Sequence, residues 1–298
     1  VVRLRAEAAA TAHHARRARV LQDRAQARAS AGASGAADVS RAASQLAELE
    51  ARRIAIAGER RRAEAVYQEL FRTTPQAGLA LPFPLAAALP ALDATVTAAL
   101  ADNPRLAGAE AEAAALAEDA TAAERSRLPA LTLRLQGRRF DVTGNPFEAN
   151  GAASDDLAVT VEAAYPLYAG GSAGARAREA RARAQEAELV REVLGRELVR
   201  SARSAHAALL ARRDELHAVS TLVDAEAATV AAFEDQYRIG RRQLTDLFLA
   251  ERDLLASTLR LVRMRTELDM ARIELLAVTG RLREHFGLHD SLIAEAPR

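Results

Sequence analysis

Two periods of hydrophobicity run along this chain. Most of it carries the broken spacing of amphipathic helices, and two short stretches alternate residue by residue as strands do. Helical sequence extends from Val1 to about Ser30 and is interrupted by the breaker cluster Ala31-Gly32-Ala33-Ser34-Gly35. A second helix is predicted from about Asp38 to Phe71. Residues 73 to 90 are rich in proline and read as irregular. A short helix follows over Ala91 to Asp102, and another runs from Pro104 to Arg127.

The period then falls to two. Leu131, Leu133 and Leu135 alternate with Thr132, Arg134 and Gln136. Residues 143 to 156 form a polar, Gly/Asn-rich loop. Beyond it Leu157, Val159, Val161, Ala163 and Tyr165 share one strand face. Pro166 ends that strand, and Gly170-Gly171 turns the chain into one very long predicted helix that reaches Ile239, where Gly240 breaks it. A last long helix covers about Arg242 to Thr279, with Gly280 as its cap. In that helix Leu247, Leu254, Leu261, Leu268 and Leu275 recur every seven residues, flanked by Phe248, Leu255, Val262 and Leu276, with Asp269 as the one break. Such a seam packs neighbours as a left-handed supercoil. The helix after Gly35 has a weaker version in Ala42, Leu49, Ile56, Ala63 and Leu70.

The two breaker regions match each other. Gly32 precedes Asp38 and Val39 as Gly240 precedes Asp246 and Leu247, an offset of 208 residues. The helices after them end in similar turns, at Thr73-Thr74-Pro75 and Thr279-Gly280. The chain therefore holds two versions of one unit, long helix, Gly turn, long helix. Only the second is preceded by a strand pair, so the repeat predicts roughly 120 or more residues before Val1, with another strand pair among them. The span from Gly171 to Ile239 gives a helix of ~100 Å, and the Asp38–Arg72 and Pro104–Arg127 segments give ~52 and ~36 Å, which together nearly match it.

Composition narrows the function. The chain has 298 residues, no cysteine or tryptophan, seven Phe and four Tyr, and about a quarter of it is alanine. Few large residues are available for a thick core, which favours close packing of helices through small side chains. All 41 basic residues are arginine; against 40 acids the net charge is +1, so no broad attraction to nucleic acid is expected. Without cysteine there is no disulfide, thiol nucleophile or zinc–cysteine site. No phosphate loop, nucleophile motif or paired-carboxylate site stands out, and neither enzyme activity nor a cofactor or metal is expected. His285 and His289 are spaced i, i+4 beside Asp290 but read as a solvated tail, and His13-His14 read as surface. The N-terminal segment is no signal peptide, and no apolar run is long enough for a spanning helix. Strands of about ten residues do fit a tilted membrane β-strand, but two of them cannot close a barrel and would need others.

The order of these motifs carries a resemblance. Leu-Pro-Ala-Leu-Thr-Leu (128–133), strand, loop, strand, Tyr-Pro-Leu-Tyr-Ala-Gly-Gly (165–171), a long Ala/Arg/Glu helix and Tyr-Arg-Ile-Gly-Arg-Arg-Gln-Leu-Thr-Asp-Leu (237–247) resemble the TolC-like outer-membrane efflux and secretion channels. Ala94 to Leu106, with Asn103-Pro104, and the closing Thr279-Gly280 fit the same pattern. The resemblance covers nearly all of 1–285, and the Tyr237-to-Arg242 stretch is most similar to the channels serving type I secretion.

The resemblance implies a mainly α protein. Long antiparallel helical hairpins would form an α-barrel through the periplasm, and a strand pair would join a trimeric outer-membrane β-barrel. It implies a homotrimer in contact with outer-membrane lipid, a periplasmic adaptor and an inner-membrane transporter. The corresponding segments are 1–74 (first hairpin), 75–103 (irregular equatorial segment with a short helix), 104–128 (helix leading to the membrane), 129–168 (strand pair and extracellular loop), 169–280 (second hairpin) and 281–298 (tail). It places a periplasmic gate at the hairpin tips, marked by Gly32, Gly35 and Gly240, with Asp38, Tyr237, Arg242 and Asp246 as gate residues and Pro166, Gly170 and Gly171 as the strand-to-helix turn. Arg242 and Tyr237 are expected to reach Asp38 of an adjacent hairpin in the closed state. The competing view has Asp38 and Asp246 merely capping helices. Leu249 stands where the family has a second acidic ring. Two other readings are a soluble coiled-coil scaffold and the periplasmic adaptor of the same pumps.

Overall fold

A computed structural model describes residues 1–32, 35–80, 82–83, 89–140, 154–165, 167 and 170–288. The chain divides into two compact units, one made of residues 1–101 and 199–298 and the other of 102–198.

In the first unit, α1 (Val2–Ser30) and α2 (Ala36–Phe71) form one hairpin. The later part of α5 (Ser172–Arg238) and α6 (Leu244–Val278) form another. The short helix α3 (Leu92–Ala101) and a single turn α7 (Leu282–His285) complete the unit. The sequence repeat is reproduced in the backbone. Gly32 and Gly240 both have positive φ, 72° and 77°, and each donates its N–H three residues back, to the carbonyls of Ala29 and Tyr237. Glycine takes this left-handed conformation without a Cβ penalty. The N-caps, Gly35 and Gln243, again differ by 208.

The core is thin and lies partly within the second hairpin, where Leu209 and Leu216 of α5 and Leu268 and Leu275 of α6 belong to one buried cluster, and partly between the two hairpins. Leu21, Ala25 and Ala42 of the first pack against Val230, Tyr237, Leu244, Leu247 and Phe248 of the second. Farther from the tips, Ala15, Ala18 and Leu49 meet Leu255 and Leu259. Alanine at these points lets helix axes approach closely, and the large residues come mainly from α6. The α2 seam is buried at Ala42, Leu49 and Ile56, but Leu70 is exposed. In the α6 seam the polar break is itself buried. Asp269 pairs with Arg272 at 3.2 Å, and burial pushes the Asp269 carboxyl above its ordinary range despite that arginine. The Arg272 guanidinium also lies 5.7 Å from the Phe83 ring, which stacks on His285. His285 thus leans on an aromatic partner. His289 and Asp290 lie outside the described residues.

The second unit contains α4 (Pro104–Arg125), strands β1 (Ala130–Phe140) and β2 (Ser154–Ala164), and the first part of α5. Asn103 caps α4 through its side chain, and Pro104 occupies the first turn, where no N–H partner is needed. Leu106, Ala113 and Ala120 are the buried positions of α4, again seven apart. Glu124 pairs with Arg181, and Glu110 with Arg191 at 3.7 Å, so α4 and α5 run side by side in opposite directions. The strands are antiparallel, with Leu131 opposite Ala163, Leu133 opposite Val161 and Leu135 opposite Val159. That register puts the leucines and valines on one face, 64–76% exposed. Thr132, Arg134 and Gln136 share the opposite face with Thr160 and Glu162.

Candidate functional site at the hairpin tips

The tip of each hairpin is built by the same local chemistry. A left-handed glycine ends the descending helix, and an acidic residue sits in the first turn of the ascending one, Asp38 in α2 and Asp246 in α6. Neither is the N-cap; each lies three positions inside, where a carboxylate interacts favourably with the helix dipole. The capping alternative is therefore corrected: the caps are Gly35 and Gln243, and neither uses a side chain.

Arg242 does not meet Asp38 within the chain. Its Nη1 lies 3.5 Å from Asp246 Oδ2, and its guanidinium covers the Phe233 ring at 3.8 Å. The pairing within one hairpin follows from proximity, because Asp246 is only four residues away along the turn. Tyr237 is buried, not presented at the surface. Arg28 donates to its carbonyl at 3.2 Å and lies 5.0 Å from its ring centroid. Between the two tips, Arg41 of α2 donates to Thr245 Oγ1 of α6. Gly170 and Gly171 directly precede α5. Pro166 lies outside the described residues.

A few turns from the tips lies a cluster that sequence reasoning missed. His14 is 7% exposed and its Nδ1 stands 3.0 Å from Glu251 Oε2. Arg17 Nε donates to Glu251 Oε1 at 2.7 Å, and its Nη2 reaches Glu234 at 3.1 Å; Arg24 also reaches Glu234, at 3.1 Å. These contacts join α1 to both α5 and α6. Burial resists ionisation of Glu251, but the hydrogen bond from His14 and the charge of Arg17 outweigh it and hold the carboxyl below the usual range. His13 remains exposed, and partial desolvation of its ring, then the charges of His14, Arg17 and Arg16, lower its pKa. The surface reading thus holds for His13 and fails for His14. Adjacent helical residues point about 100° apart, and only the packing of α6 shows which of the two is covered. A signal existed in the polar positions at 14, 17, 234 and 251, but no period links them.

Among the described residues no group of three His, Cys, Asp or Glu could hold a metal, and no helix is long and apolar enough to cross a membrane. What the two units offer is helix surface in repeated hairpins and a strand pair with one apolar exposed face, the parts of a wall.

The comparisons with known proteins agree with that class. Residues 95–281 match the outer membrane efflux protein family, and the chain belongs to it. Members of this family are channel proteins of the outer membrane, not enzymes. The fold is similar to that of the outer membrane protein VceC of Vibrio cholerae, with a TM-score of 0.72 at 18% identity over 94% of this chain. It is similar to a membrane protein from Pseudomonas aeruginosa (0.74, 17%, 93%) and to the open state of the MtrE outer membrane channel of Neisseria gonorrhoeae (0.69, 18%, 94%). The chain spans 66%, 64% and 65% of those three chains. No curated protein matches it by sequence. The family membership sets aside the scaffold and adaptor readings.

Proposed function

We propose that this chain forms most of one subunit of a trimeric exit duct, which carries substrates of efflux or type I secretion across the periplasm and outer membrane. In this reading it works with a periplasmic adaptor and an inner-membrane transporter. The observation that carries the proposal is the strand pair. Its leucines and valines form one continuous exposed face while the other face is polar, the pattern of a wall between lipid and water. Two strands leave unpaired edges that lipid does not tolerate, so closure requires strands from elsewhere in the protein and from further copies. The full-length protein should fractionate with outer membranes, need detergent and run as a trimer; a soluble monomer would sink the proposal.

The tips are the gate of this duct. Arg242 is held ready by Phe233 and Asp246, and the proposed closed state adds Asp38 of a neighbouring hairpin to its partners, with Tyr237 supporting the turn. Asp246 lines the pore. A partner offering substitute contacts would release the latch. Single-channel conductance tests this: Arg242→Ala combined with Asp38→Ala should open the channel, and unchanged closure would rule the latch out.

A further inference from the structure

Arginine is in excess where the helices of the second unit meet the strand pair. Residues 124–128 and 165–184 hold six arginines, Arg125, Arg127, Arg176, Arg178, Arg181 and Arg183, against two acids. Both acids are taken. Glu124 accepts a hydrogen bond from Arg181, and Glu179 accepts one from Arg183 at 2.5 Å. The first turn of α5 adds no acid.

Arg127 and Arg178 are left over, and they converge. A Cβ placed on Gly174 would lie 3.1 Å from Arg127 Nη2 and 3.6 Å from Arg178 Nη1, so two guanidiniums share the notch that this glycine leaves open. Glu124 feels the charge of Arg127 but takes its hydrogen bond from Arg181. Neither Arg127 nor Arg178 has a side-chain hydrogen bond or an ion pair among the described residues. Like charges held together repel, and a shared anion removes the repulsion. Guanidiniums fork onto phosphate oxygens, which makes phosphate a fitting anion.

The surroundings select the kind of phosphate. Arg127 lies three residues before β1, at most about 10 Å of chain. At that end of the strand pair Leu128, Leu131 and Tyr165 are exposed. Apolar side chains, then a tyrosine, then cations follow the order of layers at a bilayer surface, where hydrocarbon gives way to headgroups. A soluble phosphate would use the arginines and leave the apolar surface bare, whereas a phospholipid uses both. We infer that Arg127 and Arg178 form a binding site for the phosphate of an anionic phospholipid whose acyl chains lie along the apolar face of the strands. The inference rests on the channel reading, because it needs that face to meet lipid.

The test uses the full-length protein, purified in detergent and titrated with phosphatidylglycerol while bound lipids are counted by native mass spectrometry. The wild type should retain phosphatidylglycerol in preference to phosphatidylcholine. Arg127→Gln with Arg178→Gln removes two charge-assisted contacts and should weaken that binding by about tenfold or more. Arg127→Lys with Arg178→Lys keeps the charge without the fork and should recover binding only in part. The control, Arg176→Gln with Arg183→Gln, removes the same charge from the other side of α5, about 140–160° around the helix from Arg178, and should leave binding nearly unchanged. All four arginines are exposed, so each variant should fold and assemble. Inorganic phosphate should not displace the lipid. Equal retention of the two lipids, equal losses from both glutamine pairs, or displacement by inorganic phosphate overturns the lipid site. Dissociation of the Arg127→Gln/Arg178→Gln variant into monomers in lipid-free detergent also overturns it, because the pair then serves a carboxylate of another copy. In each of these outcomes a wild type that is trimeric in outer membranes leaves the channel reading standing. A soluble wild-type monomer overturns both.

Discussion

Arg72 and Gly280 stand 208 residues apart and close equivalent helices in the same left-handed conformation, with φ of 56° and 73°. The arginine bears a Cβ in a region that disfavours one, and it is the only described non-glycine residue with positive φ. Relieving that penalty exceeds the extra chain entropy that glycine loses on folding, so Arg72→Gly should stabilise the hairpin by about 0.5–1 kcal/mol. Gly280→Ala should destabilise by a similar amount. Thermal midpoints followed by circular dichroism read both, and a lower midpoint for Arg72→Gly would contradict the argument.

Glu251 is the hub of the cluster joining α1 to α6. Glu251→Ala leaves His14 without its carboxylate and removes one of the two acids that hold Arg17. Leaving the buried His14 ring nitrogen without its hydrogen-bond partner costs about 1–3 kcal/mol. The expected phenotype is early proteolysis of the first hairpin. Arg24→Ala, which removes a more exposed contact, should cost below about 1 kcal/mol.

The same carboxyl sets a pH dependence. The folded-state pKa of Glu251 is lowered, so its contribution to stability is complete above the ordinary carboxylate range. That contribution is lost as pH falls through the lowered value, when the carboxyl takes up a proton. Acid unfolding of the wild type should therefore show a loss in this window that Glu251→Gln lacks. Equal slopes for the two proteins would refute the assignment.

Arg5 ties the end of the first hairpin to the segment after α2. Its guanidinium donates to the carbonyls of Pro75 and Gln76 at 2.9 and 2.5 Å and lies 3.4 Å from that of Ala77. Arg5→Ala should expose residues 75–77 to limited proteolysis without lowering helix content. Arg5→Lys should rescue only in part, because a lysine cannot fork among three acceptors.

The two faces of the strand pair should respond differently to charge. Leu133 lies on the apolar face and Gln136 on the polar one. If the apolar face meets lipid, Leu133→Arg costs about 2–4 kcal/mol near the bilayer midplane and reduces assembly in outer membranes. Gln136→Arg, on the water side, should assemble normally. Equal defects would argue against a membrane wall.

The helices, the strand pair and the internal repeat were legible in the sequence because each rests on local periodicity and on turn residues. Gly32 and Gly240 end helices for a reason contained in their own backbones. Leu131, Leu133 and Leu135 reveal a strand because its side chains alternate whatever lies beyond them. The order of these pieces was enough to suggest the channel family. The partners at the tips were not legible. Within the chain, folding turns Arg242 onto Asp246 and Phe233 and sets the buried Tyr237 beside Arg28, contacts that no local pattern announces. The sequence also left His13 and His14 indistinguishable, since either could face outward on an isolated helix. Only the approach of α6 covers His14 and supplies Glu251. Local chemistry along the chain thus determined the elements and their repetition. Which polar groups lose water depends on contacts between residues more than two hundred positions apart, and tertiary structure alone decided it.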